Sequence, residues 1–219
     1  TLTSWTGLDH AGLRMVVAMI HGASGQLFLA LLVALCACLS RAWARPVDFD
    51  FDVPPEKQRK AARIVGVTFK LVFLMLMLGA YVRHGRVFWP GESAPGRSVV
   101  LGIHMGLAFV VVLHVFFSRH RVGPYDGKCA GATYPVMLAQ FLALIQILLG
   151  FLSWAMTSGD VEAAQPGSTA MIMRTAHVAN GALLLALFAL SWVWTRHVKS
   201  SAPAFAASKP PSVPADPVT

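Results

Sequence analysis

Ser98–Arg119, SVVLGIHMGLAFVVVLHVFFSR, has the length and apolarity that a helix needs to cross the hydrocarbon core of a bilayer. Near its start it carries His104. An imidazole inside a membrane is costly unless it has a partner, which makes such a residue a functional-site candidate by default. The pattern recurs. Arg174–Trp194, RTAHVANGALLLALFALSWVW, sets His177 at a similar depth, and the run Met15–Ser40 does the same with His21.

Two more apolar runs, 64–82 and 134–156, bring the total to five. Composition agrees: of 219 residues 56% are hydrophobic and only 13% charged, and the mean hydropathy is +0.61. That is too apolar for a soluble domain, so the expected class is an all-α polytopic membrane protein with five transmembrane helices embedded in a lipid bilayer. The net charge of +8 does not point to nucleic acid, because the bases sit in short loops between the apolar runs. Cys36 and Cys38 fall within the first run and Cys129 in a loop, a distribution that offers neither a disulfide framework nor a zinc spacing. The first run is too long and too late for a signal peptide. The chain starts without Met, so the sequence is expected to be processed or to be part of a longer product.

Four segments follow from these features. Residues 1–40 form a polar lead and the first helix. Residues 41–63, with mixed charges and Pro46, Pro54 and Pro55, read as a solvated linker. Residues 64–199 read as a four-helix bundle, with Pro135 in the first turn of its third helix, where a missing N–H does no harm. Residues 200–219, rich in Ala, Pro and Ser, read as a disordered tail. Twelve bases fall on the side of the membrane that holds the linker, the 120–132 loop and the tail. Five fall on the other: Arg14, Arg83, Arg86, Arg97 and Arg174. The tail is therefore expected in the cytoplasm of a bacterial-type inner membrane and the N-terminus outside. Lys70, within the second helix, is expected to snorkel toward the cytoplasm.

In that orientation His21, His104 and His177 all lie within roughly two turns of the outer face, at about 1.5 Å of rise per residue. Neutral imidazoles held at one depth by separate helices suit a bis-histidine haem, in which iron takes one ring nitrogen from each side. Zinc is the competing metal. It would want a third or fourth ligand, and no Cys, Asp or Glu sits at that depth in the helices. One turn after each histidine the residue is small: Gly25, Ala108 and Gly181. Either a flat macrocycle lies close against these helices or small residues simply let them pack. Arg14 and Arg97 precede their histidines by seven residues and Arg174 by three, where they can pair with haem propionates or serve as ordinary interfacial cations.

The second to fifth helices read as a duplicated hairpin. MLMLGAYV from Met75 is echoed by QILLGFLS from Gln146, and each is followed by a helix with a histidine near its start. Ligands in such bundles project inward from facing helices, which pairs His104 with His177. His21 is left with a partner outside this chain, or is a lone core histidine. His84, next to Arg83, bonds a propionate or is a solvated helix end. His114, roughly 15 Å deeper than His104 by helical rise, reads as a hydrogen-bonded core residue.

IHGASGQLFLALLVAL, LGAYVRHG, IHMGLAFVVVLH, QILLG and AHVANGALLLA, in this order, resemble the heme A synthase family, membrane enzymes that oxidise a methyl group of haem O to the formyl group of haem A. The resemblance implies two pseudo-symmetric four-helix bundles in a whole member. The second to fifth helices here match the C-terminal bundle, with His104 and His177 as ligands of haem b. The first helix matches the last of the N-terminal bundle, and His21 would be one ligand of a second haem, of type O, A or b. The family's first three helices, its other substrate-side histidine, its acidic catalytic residue and its outer-loop cysteine pair have no counterpart in this sequence. The chain alone is therefore not expected to catalyse the reaction, and the rest would come from an N-terminal half or another membrane subunit. The alternative is a non-catalytic cytochrome b-type electron-transfer or anchoring subunit of a respiratory complex. Ligands near only one membrane face count against it. A purely structural role without haem would leave the intramembrane histidines unexplained.

Overall fold

The computed structural model describes residues 10–44, 53–88, 96–156 and 167–208. All regular structure among them is helical. Five helices are long and apolar enough to cross a membrane: α1 (His10–Cys38), α2 (Pro55–Phe88), α3 (Arg97–Val122), α4 (Ala130–Ala155) and α5 (Ser168–Ser208). The chain is an all-α, multi-pass membrane protein.

The helices run past the apolar stretches read in the sequence, with α1 starting at His10 and α2 ending at Phe88. α2 starts at Pro55, inside the stretch read as a linker, because proline is preorganised for the first helical position. An i,i+4 ion pair, Glu56 to Lys60 at 2.6 Å, continues that first turn. α4 starts at Ala130 rather than near Tyr134, so Pro135 lies inside the helix and not in its first turn. α5 runs on to Ser208, into the stretch read as a disordered tail. Residues 209–219 of that tail lie outside the described residues, as do 45–52 of the linker. Between α3 and α4 a 3₁₀ turn, Gly123–Tyr125, leads to Gly127 at a φ of 73°, a left-handed conformation that glycine adopts without strain. The Arg119–Asp126 ion pair at 2.7 Å spans this turn.

α2 packs against α3 and α5, α4 packs against the same two, and α1 lies along α2 and α5. Bulky rings fit between these helices because glycine faces them. Trp192 lies over Gly66, where a methyl group would come within 2.7 Å of Nε1, and Trp194 lies over Gly131. Trp43, in the single helical turn Arg41–Ala44, stacks on His197 with ring centres 3.7 Å apart and meets Trp194 edge-on. Polar groups inside are paired across helices: Thr68 Oγ1 and Ser118 Oγ are 2.8 Å apart, and Ser191 Oγ donates to the Ala132 carbonyl. Outward-facing side chains such as Phe109, Leu113, Phe141 and Phe151 are apolar and exposed, as lipid contact demands.

Candidate functional site

α3 and α5 bring the His104 and His177 rings together edge-on, with ring centres 6.5 Å apart and planes inclined at 71°. Each ring sits on a glycine of the preceding helix. A methyl group on Gly79 of α2 would lie 3.2 Å from Cε1 of His104, and one on Gly150 of α4 would lie 2.9 Å from Cε1 of His177. Each ring also hydrogen-bonds the main chain four residues before that glycine, His104 at Met75 and His177 at Gln146. The two observations have one cause. In an α-helix the carbonyl of residue i is covered by residue i+4, and its oxygen keeps a second lone pair. Glycine at 79 and 150 uncovers the carbonyls of Met75 and Gln146, and the imidazoles dock there. The same device is built twice, once in each hairpin.

Nδ1 of both histidines is buried and has no hydrogen-bond partner. A metal-bound imidazole uses one ring nitrogen for the metal and fixes the other by a hydrogen bond, often to a main-chain carbonyl. One held nitrogen and one bare nitrogen per ring is therefore the donor set of a ligand pair. Spacing agrees, since two ring nitrogens sharing one ion at about 2 Å each put the ring centres about 6 Å apart. Zinc fits poorly, because two histidines fill only half of a tetrahedral shell. Among the described residues no group of three or more His, Cys, Asp or Glu stands together. A haem brings four equatorial nitrogens of its own and needs only two axial ligands, so these residues fit it.

Polar groups that sequence reasoning missed lie against His177. The Asn180 amide donates to the Leu142 carbonyl at 2.9 Å and to Oε1 of Gln146 at 2.7 Å. The other end of that carboxamide, Nε2, stands 3.4 Å from Nε2 of His177. The space beside Gly181 is filled by Leu76 and by this Gln146 amide, whereas Gly25 has nothing within 4 Å. Ala108 is partly buried on α3.

The remaining candidates are spread over α1, α2, α3 and α5. His21 is exposed on α1, beside a shallow groove lined by Leu13, Arg14, Val17 and Ala18. Arg97, the first residue of α3, and Arg174, one turn before His177, are partly buried. Arg83 is exposed and His84 partly buried near the end of α2. His114, read as a hydrogen-bonded core residue, has its Nδ1 buried without a partner. Cys36 and Cys38 are exposed on α1, while Cys129 is buried. No protein-family model matches the chain, nor does a curated protein or a solved structure.

Proposed function

We propose that this chain is a haem-binding membrane protein of heme A synthase type, in which His104 and His177 would hold a haem b. The observation that carries the reading is the pair itself: two imidazoles 6.5 Å apart, each seated on a glycine and each with a buried, partnerless nitrogen. The haem would supply a one-electron redox centre. The chain's own groups do the rest. The carbonyls of Met75 and Gln146 orient the rings, Gly79 and Gly150 set their approach, and the apolar side chains around them exclude water. Arg97 and Arg174, partly buried at the histidine end of α3 and α5, would take the propionates.

In the same reading the histidine end faces outward and the α5 terminus the cytoplasm of a bacterial-type inner membrane, by the distribution of bases. His21 is one ligand of a second haem, of type O, A or b, whose other ligand comes from an N-terminal half or another subunit. Its exposure on α1 supports a partner outside this chain, because an uncovered imidazole in lipid is costly.

The test is spectroscopic. The purified chain is expected to give a reduced-minus-oxidised spectrum with the bands of a low-spin b-type haem, lost in His104→Ala and in His177→Ala. A wild-type protein without those bands, or a His104→Ala protein that keeps them, refutes the reading. Haem O or haem A extracted beside haem b supports the synthase assignment; haem b alone favours the non-catalytic cytochrome.

A further inference from the structure

At two positions the second copy of the histidine-bearing repeat carries an amide where the first has an apolar side chain. Where the first hairpin has Met75 and Leu107, the second has Gln146 and Asn180, both carrying primary amides in the span of a bilayer. Amides there are expensive unless each finds a partner, and these two find each other across α4 and α5. Asn180 is buried.

The direction of this network follows from its fixed end. The Leu142 main-chain carbonyl only accepts, so Asn180 must turn its NH2 group toward it. The same NH2 group then donates to Gln146, which must answer with its oxygen. Gln146 is left with its NH2 end, the positive end of the carboxamide dipole, against the His177 ring. At 3.4 Å this contact is long for a hydrogen bond but well within reach of a dipole in a low-dielectric interior. His104 has no counterpart, since a thioether occupies the matching position at Met75.

Resting on the reading of His104 and His177 as haem ligands, we propose that Gln146, held in orientation by Asn180, is a positioning residue. It presents a fixed positive dipole to the His177 side of the haem and raises its reduction potential. The positive end of a dipole held beside a ligating ring disfavours the oxidised, more positive iron, and the polar groups around ligands are one of the means by which proteins set such potentials. If the two amides served only to join α4 to α5, their mutual bond would suffice and the potential would not depend on them.

The experiment is a redox titration of the full-length, haem-loaded chain in detergent. Gln146→Met and Asn180→Leu each copy the residue found in the other hairpin, and Leu107→Met, at the position matching Asn180, is the control. Gln146→Met is expected to keep the low-spin spectrum while its midpoint potential falls. Asn180→Leu, which frees the carboxamide to reorient, should fall by less, and Leu107→Met should match wild type. An unchanged or raised potential in Gln146→Met overturns the inference while leaving the ligand assignment intact. Should Gln146→Met shed its haem, Asn180→Leu decides: a lowered potential supports the inference and an unchanged one overturns it. A wild-type chain without low-spin haem removes the ligand assignment and the inference together.

Discussion

Gly150→Ala adds one methyl group at the place where the structure has least room for it. The new Cβ would lie 2.9 Å from Cε1 of His177, whereas ordinary contact begins at 3.4 Å, so the ring must retreat by about half an ångström. Metal–ligand distances tolerate about 0.2 Å. In a ligand-free protein the ring can turn aside; holding an iron, as proposed, it could not. Alanine also favours the helix by about 1 kcal/mol over glycine, but that gain is shared by the free and loaded folds and cancels from the affinity. What remains is an overpacking cost of about 1–3 kcal/mol, a loss of haem affinity of about five- to 150-fold. At Gly79 the methyl group would meet His104 at 3.2 Å, a misfit of a few tenths of an ångström, and the loss should be smaller. Gly106→Ala, on α3 with nothing within 4 Å, is the control. The assay is haem titration of the three purified variants, read by the low-spin absorbance per mole of protein. Equal retention in Gly150→Ala and Gly106→Ala would refute the argument that the glycine seat positions the ligand.

Gly66→Ala should lower resistance to unfolding in detergent by about 1–3 kcal/mol, since its Cβ would lie 2.7 Å from Nε1 of Trp192, and the haem spectrum of folded protein should be unaltered. A double-mutant cycle on Thr68→Val and Ser118→Ala should return a coupling of about 0.6 kcal/mol, and no more than about 1.7, for their 2.8 Å bond across α2 and α3. Burial pushes the Cys129 thiol above its ordinary pKa, so maleimide should label it slowly at pH 8 in the folded chain and rapidly after denaturation. The corresponding contribution to stability is present below the unfolded thiol's pKa and is lost as pH rises past it. His21→Leu should leave the spectrum and potential of the His104–His177 site unchanged, because His21 is exposed on α1 and outside that pair; a shift would show that the two sites are not independent.

The five crossings were legible because lipid allows only one solution to a long apolar run, a helix that bonds its own backbone. Helix ends were not. Hydropathy marks where a chain enters lipid, while the start of α2 is set by Pro55, whose fixed φ suits the first helical position, ahead of the apolar run. The histidine pair was legible from repetition, yet the device that holds it was only half read. Both repeats, MLMLG and QILLG, place a glycine four residues after their first residue, an echo that reads as duplication without showing its cause. The signal available was the position of that glycine one turn after a residue whose carbonyl it exposes. Gln146 and Asn180 gave no such signal. A single amide in an apolar run reads as ordinary helix–helix contact, and only the fold shows that it meets a histidine.

The difference between His21 and the other two histidines follows from the same device. His104 and His177 are held because the helix before each of them in the chain supplies an exposed carbonyl and a glycine to reach it. Among the described residues no helix precedes α1, and the His21 ring stands exposed beside the groove lined by Leu13, Arg14, Val17 and Ala18. Gly25, one turn on, has open space where a ring or another helix would lie. If the seat is what makes a histidine a ligand in this architecture, the helix that completes the His21 site must bring its own glycine one turn after an exposed carbonyl. A partner segment that lacks this arrangement would leave His21 mobile in the membrane and unable to hold an iron.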